Sequence, residues 1–174
     1  KKHDFFIDPY MLKREELYLR KLAETVAARE NFLGFDLGNE LNCCWWTDIK
    51  SGDAWNRRML NFCREIAPGG VHVNGVNDGP FFKEVTFSPA TLARTQEIIS
   101  LHCWVYFTGA LDRGGPLSPQ SVQLAAAMTA LAKAYAQDNS KPTWVQEFGA
   151  SEEWMDARII PEFMEKTVHN AARA

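Results

Sequence analysis

The sequence predicts an α/β fold with parallel strands, and three observations carry that expectation. Stretches with helical spacing alternate strictly with short apolar runs. Two of those runs end in a glutamate within a similar setting. None of them opens into a glycine-rich phosphate loop: Gly34 and Gly38 lie inside or at the end of a strand, and Gly69-Gly70 ends a helix.

Asp8-Pro9 reads as a helix start, a capping side chain followed by a proline whose missing N–H costs nothing there. Met11 to Glu30 then reads as a long amphipathic helix, with Leu12, Leu19, Leu22, Ala23 and Val26 on one side. Phe32 to Leu37 is a short, mostly apolar run that suits a strand buried on both faces. Asp53 to Ile66 returns to helical spacing, and Pro68-Gly69-Gly70 stops it. Val71 to Val76 is a second strand, Asn77 to Phe87 a long loop, and Pro89 to Glu97 a short helix. Ile98 to Phe107 is strand-like, and Gly109 with Gly114-Gly115-Pro116 closes its loop. Ser118-Pro119 repeats the cap-and-proline start of an Ala-rich helix that runs to about Gln137. A turn at Asp138 to Pro142, a strand from Thr143 to Phe148 and a helix from Ile160 to Ala172 complete the order α-β-α-β-α-β-α-β-α.

The bulk numbers set bounds on function. A chain of 174 residues with 46% hydrophobic content is long enough for one domain with a core. A net charge of −3 gives no footprint for nucleic acid. No apolar run approaches the roughly 18 residues that span a bilayer, and Lys1-Lys2-His3-Asp4 does not open a signal peptide. Cys43, Cys44, Cys63 and Cys103 show no C-x-x-C spacing, so buried reduced thiols are expected. The compartment stays open, a secreted or periplasmic parent being one reading.

Alternating strands and helices fit either an open doubly wound sheet or a (β/α)₈ barrel. The glutamates favour the barrel. One closes Gly34-Phe35-Asp36-Leu37-Gly38-Asn39-Glu40, the other Pro142-Thr143-Trp144-Val145-Gln146-Glu147 before Phe148-Gly149. Barrel strands build the active site at their C-terminal ends, which would aim both carboxylates into one mouth. The 107 residues from Glu40 to Glu147 equal about three units of roughly 31 residues, and two strands were read between them.

Asn39-Glu40 after one strand, His102 on another and Gln146-Glu147-Phe148-Gly149 after a third resemble clan A glycoside hydrolases, closest to family 5 and its cellulase-like relatives. The resemblance covers essentially the whole chain and implies a partial (β/α)₈ TIM barrel, units three to seven, with four parallel strands. It implies Glu40 as acid/base, Asn39 as a contact to the sugar 2-hydroxyl, and Glu147 as nucleophile. Two carboxylates suit that chemistry, since one must hand a proton to the leaving oxygen while the other attacks ionised. An ionised Glu147 close by favours the protonated form of Glu40. Retaining enzymes hold the pair about 5–5.5 Å apart and inverting ones about 6.5–9.5 Å, and the resemblance implies retention. Strand alternation places His102, Trp104 and Tyr106 on one face. In the family a histidine here lines the sugar site, and an aromatic two residues later, usually tyrosine, bonds the nucleophile. This chain departs from the pattern with Trp104 there, and Tyr106 follows. Trp45 and Trp46 lie where an exposed aromatic could stack on a sugar, or else pack in the core; Phe81-Phe82 and Asn77-Asp78 are weaker candidates, and His72 and His169 read as structural. No metal cluster is visible and no cofactor is expected.

The expected function is retaining hydrolysis of β-glycosidic bonds in a cellulase- or mannanase-like poly- or oligosaccharide. The expected partners are a carbohydrate substrate, no nucleic acid and no membrane. Four strands would leave two unpaired edges, so residues 1–174 read as a fragment of a catalytic barrel whose remaining segments, or another half-barrel, cover them. Alternatives are a carbohydrate-binding barrel without turnover, strand-end glutamates that are merely solvated or salt-bridged, and a nucleotide-binding domain that would need a phosphate loop.

Overall fold

The computed structural model describes residues 3–83 and 85–174; Lys1, Lys2 and Glu84 lie outside them. The elements run α1 (Pro9–Val26), α2 (Leu41–Cys44), α3 (Ile49–Ile66), α4 (Gly79–Lys83), α5 (Pro89–Thr95), β1 (Ile99–His102), α6 (Ala110–Gly114), α7 (Pro119–Val122), α8 (Leu124–Ala136), β2 (Thr143–Glu147) and α9 (Ile160–Ala171).

Local chemistry sets the helix starts. The Asp8 carboxylate accepts from the Tyr10 N–H at 2.8 Å with Pro9 in the first turn, and Asp48 accepts from Ser51 at 2.9 Å. The second cap starts α3 ahead of the expected Asp53. Trp55 and Arg58 of α3 donate to Glu15 and Glu16 of α1 at 2.8 and 2.7 Å, which ties the two long helices together. The first helix ends at Val26 rather than Glu30, because three-residue turns from Val26 to Arg29 and Arg29 to Phe32 replace its ladder. The Ala-rich helix is divided, since Gln123 leaves helical dihedrals at φ −104, ψ 3. Ser118 does not cap it; its hydroxyl donates to the Gly115 carbonyl at 2.8 Å. The expected loop after Asn77 contains α4.

Two of the four expected strands are regular. β1 and β2 pair in parallel, Ile99 opposite Thr143 and His102 opposite Glu147, with a register irregularity between Leu101 and His102. The other two expected strands are extended segments joined by one parallel bridge, Asp36 to Val73. Their backbones still bond from Val71 N to Leu33 O at 2.8 Å as far as Glu40 N to Gly75 O at 2.8 Å. A Cβ at Gly34 would sit 1.7 Å from the Val71 carbonyl oxygen, so only glycine permits this approach. Side chains continue the structure toward α5 and α3: Gln96 accepts from Asn74 N–H, and Asn74 donates to Asn56. The four-stranded sheet is therefore not formed as regular strands.

β1 also stops at His102 instead of continuing to Phe107. Turn bonds from Phe107 N to Trp104 O and from Gly109 N to Tyr106 O bend the chain away. The main core gathers Trp55, Met59, Phe87, Leu92, Ile99, Leu101 and Met128, and a smaller cluster holds Val105, Val122, Met155 and Phe163. Cys63 and Cys103 are buried, and burial pushes both thiols up to about 12. Cys43 and Cys44 are exposed, contrary to the expectation of four buried thiols, because α2 lies at the surface. No helix among the described residues is long and apolar enough to cross a membrane.

Candidate active site

Glu40 follows the first extended segment and precedes α2, in the left-handed region at φ 49, ψ 46. Non-glycine residues are uncommon there, and such strain gathers at functional sites. Its N–H bonds the Gly75 carbonyl, which fixes the backbone. Glu147 is the last residue of β2, and His102 ends β1 directly opposite.

The His102 side chain is fully buried between the two carboxylates. Its Nδ1 lies 2.9 Å from Glu40 Oε1 and 3.3 Å from Glu147 Oε2. One polar atom from each of the three residues lies within 4.8 Å of the others. Trp104 Nε1–H donates to Glu147 Oε2 at 3.0 Å. The indole also packs against Gly149, where a Cβ would meet the ring at 3.0 Å. On its other side His102 Nε2 is 3.1 Å from Gln146 Oε1, while Gln146 Nε2 donates to Asp36 Oδ2 at 2.7 Å.

A cleft of about 1060 Å³ opens beside this cluster, lined by Glu40, Asp78, Phe82, Phe107, Lys83 and Arg113 among others. Burial, with the Glu40 charge adding to it, holds the Asp78 carboxyl above the usual range. Burial and Glu40 likewise raise the neighbouring Cys43 thiol to about 11, so it is no ready nucleophile. Glu40, His102 and Glu147 are the group among the described residues with the spacing to hold a metal ion. Within this group His102 Nδ1 is hydrogen-bonded to Glu40 Oε1.

No protein-family model matches the chain, and no curated protein matches it. Solved structures do match. A GH5_18 protein from Streptomyces cattleya with bound GlcNAc is 34% identical, with a TM-score of 0.92 over 98% of this chain and 43% of that one. A Glu-to-Ala variant of GH5_18 from the same organism, in complex with Manβ1-4GlcNAc, is 32% identical, with a TM-score of 0.93 over 99% of this chain and 44% of that one. A GH5_18 from Bifidobacterium longum subsp. infantis is 27% identical, with a TM-score of 0.91 over 99% and 43%. The chain belongs with the clan A, family 5-like glycoside hydrolases. It spans under half the length of these matched structures.

Within this family 5-like chain the structure brings together Glu40, Glu147, His102 and Trp104. It does not place Tyr106 with them. Tyr106 lies beyond the end of β1 and stacks on Trp154, centroids 4.0 Å apart, so the indole N–H of Trp104 reaches the carboxylate instead. The one-face expectation for His102, Trp104 and Tyr106 fails for that reason. Asn39 is exposed in the turn beside Glu40. Trp46 is 82% exposed and lines a separate depression with Phe5 and Trp45, away from the carboxylate pair. Trp45 stacks on Phe5 at 4.7 Å. Asn77, Asp78 and Phe82 line the main cleft, whereas Phe81 is buried in the core. His72 is structural, bonded to Phe35 N–H and Ala67 O. Sequence reasoning passed over Asp36, Ser100 and Gly75. The available signal was polarity inside apolar runs, in Phe35-Asp36-Leu37 and Ile99-Ser100-Leu101.

Proposed function

We propose that the protein carrying this chain hydrolyses β-mannosidic bonds with retention, with Glu147 as nucleophile and Glu40 as acid/base. The observation that carries this reading is the approach of Glu40 and Glu147 across His102, one oxygen of each within 4.8 Å. That closeness favours the spacing of about 5–5.5 Å used in double displacement over the wider gap of inversion. In the first step Glu147 attacks the anomeric carbon, the glycosidic C–O bond breaks, and the Glu40 proton passes to the leaving oxygen. In the second, Glu40 takes a proton from water, whose oxygen displaces Glu147 from the sugar.

The cleft beside Glu40 suits the leaving group, because the acid stands in its wall. A related GH5_18 variant binds Manβ1-4GlcNAc, which favours a mannosyl unit over the cellulase-like alternative. The chain provides part of a barrel, and further segments complete it.

Role-specific variants of the full-length protein test this. Glu147→Ala should lower turnover by at least about 10⁴-fold, and azide should restore it as an inverted glycosyl azide. Glu40→Ala should spare activated aryl glycosides far more than substrates with poor leaving groups. Azide rescue with inversion in the Glu40 variant would reverse the roles. A binding protein without turnover would show neither pattern.

A further inference from the structure

Gln146 sits between two groups that disagree about what they need. Asp36 offers only acceptors: its Oδ1 takes the N–H groups of Gly75 and Gly38, and its Oδ2 faces Gln146. The Gln146 amide must therefore turn its NH₂ to Asp36 and its oxygen the other way. That oxygen receives the Ser100 hydroxyl and lies 3.1 Å from His102 Nε2. An acceptor at that distance requires a proton on Nε2. A Cβ at Gly75 would come within 2.8 Å of Asp36 and of Gln146 and 2.9 Å of His102, so the missing side chain is what lets these three groups close together.

The consequence lies on the other face of the ring. With its proton on Nε2, neutral His102 has a bare Nδ1, and the 2.9 Å contact to Glu40 then needs its proton from Glu40. The opposite tautomer would put N–H at Nδ1, satisfied by an ionised Glu40 with no proton to give. We infer that Asp36 and Gln146 are positioning residues that select the His102 tautomer leaving the acid catalyst protonated. This rests on the reading of Glu40 as acid/base. No new proton is consumed: Glu40 gives its proton to the leaving oxygen and regains one from water, while Nε2–H stays on the ring. The charged groups facing His102 are Glu40, Glu147 and, through Gln146, Asp36; Asp78 and Cys43 lie beyond Glu40.

The test is the ring ¹⁵N spectrum of the full-length protein at neutral pH, with the His102 signals assigned against His102→Gln. The expected result is a protonated Nε2 and a bare, hydrogen-bonded Nδ1. In Asp36→Asn the amide at residue 36 can present either end, Gln146 is free to turn over, and the Nδ1–H form should appear. The same variant should lose about tenfold in kcat on glycosides with poor leaving groups, with KM and activated aryl glycosides little changed. A bare Nε2 in the unaltered protein overturns the inference, as does an equal loss on both substrate types. If the protein hydrolyses no β-glycoside at all, the functional reading falls, and the ring spectrum still decides the tautomer.

Discussion

Ile99, Ser100, Leu101 and His102 of β1 are all buried, whereas every residue of β2 keeps some exposure and Trp144 is 40% exposed. The two strands are paired in parallel and both touch α8, so the helix does not explain the contrast. Neighbours do. β1 lies between β2 and the extended segment that brings Gly75 up to His102. β2 has β1 on one side and, among the described residues, no strand on the other. The histidine is thus held by a sealed strand, and the nucleophile candidate by a strand supported along one edge. β1 is sealed by the described residues themselves, and β2 is not.

Covering the open edge breaks the asymmetry directly. A full-length protein that covers the open side of β2 should exceed residues 1–174 alone in turnover by about 100-fold or more, since ångström-scale misplacement of a reacting group costs that much. Matching rates in a side-by-side assay would show that β2 needs no further support.

Side-chain truncation sharpens the contrast next. Leu101→Ala, at a fully buried position, should destabilise by about 2–5 kcal/mol. Val145→Ala, half-buried on β2, should cost about 1 kcal/mol. Denaturant midpoints measure both, and hydrogen exchange should find the amides of β1 slower to open than those of β2. Equal costs would erase the distinction.

Trp104, two residues past the end of β1, donates a side-chain hydrogen bond to the carboxylate on β2. Trp104→Phe keeps most of the packing on Gly149 and removes the N–H bonded to Glu147. A kcat loss of about tenfold is expected, the equivalent of one hydrogen bond to a charged group. Steady-state kinetics with unchanged KM would locate the effect in the chemical step.

The smallest effect concerns the support on the buried side. Glu97 accepts from Arg64 Nε at 2.5 Å and from His72 N–H at 3.3 Å, tying α3 to the extended segment beside β1. Burial alone would raise its carboxyl, but the Arg64 bond and charge with backbone N–H groups leave it below the usual value. A depressed carboxylate stabilises the fold above its ordinary range, and that contribution is lost as pH falls through the lowered value. Glu97→Gln should therefore cost no more than about 0.5 kcal/mol at neutral pH after solvent screening. The difference from the unaltered protein should shrink in acid, as thermal unfolding across pH would show.

The contrast between the strands also marks what the sequence could reveal. Asp8-Pro9 announced a helix start because a cap is local chemistry, settled within three residues. The adjacency of Glu40 and Glu147 was legible because the βα repeat has a near-constant length. The end of β1 was not: Trp104 and Tyr106 continue the β pattern in type, and tertiary turn bonds override it. The path from Asp36 through Gln146 to His102 was invisible for a different reason. A polar residue in an apolar run has no partner until segments 110 and 44 residues apart lie side by side.

The backbone of Glu40 is left-handed. At φ 49 and ψ 46 the residue occupies a conformation that glycine or asparagine would adopt more comfortably. Glu40→Gly should therefore relieve that backbone strain while removing the hydrogen bond to His102 and, on the proposed reading, the acid. On that reading, backbone comfort and turnover pull this one position in opposite directions.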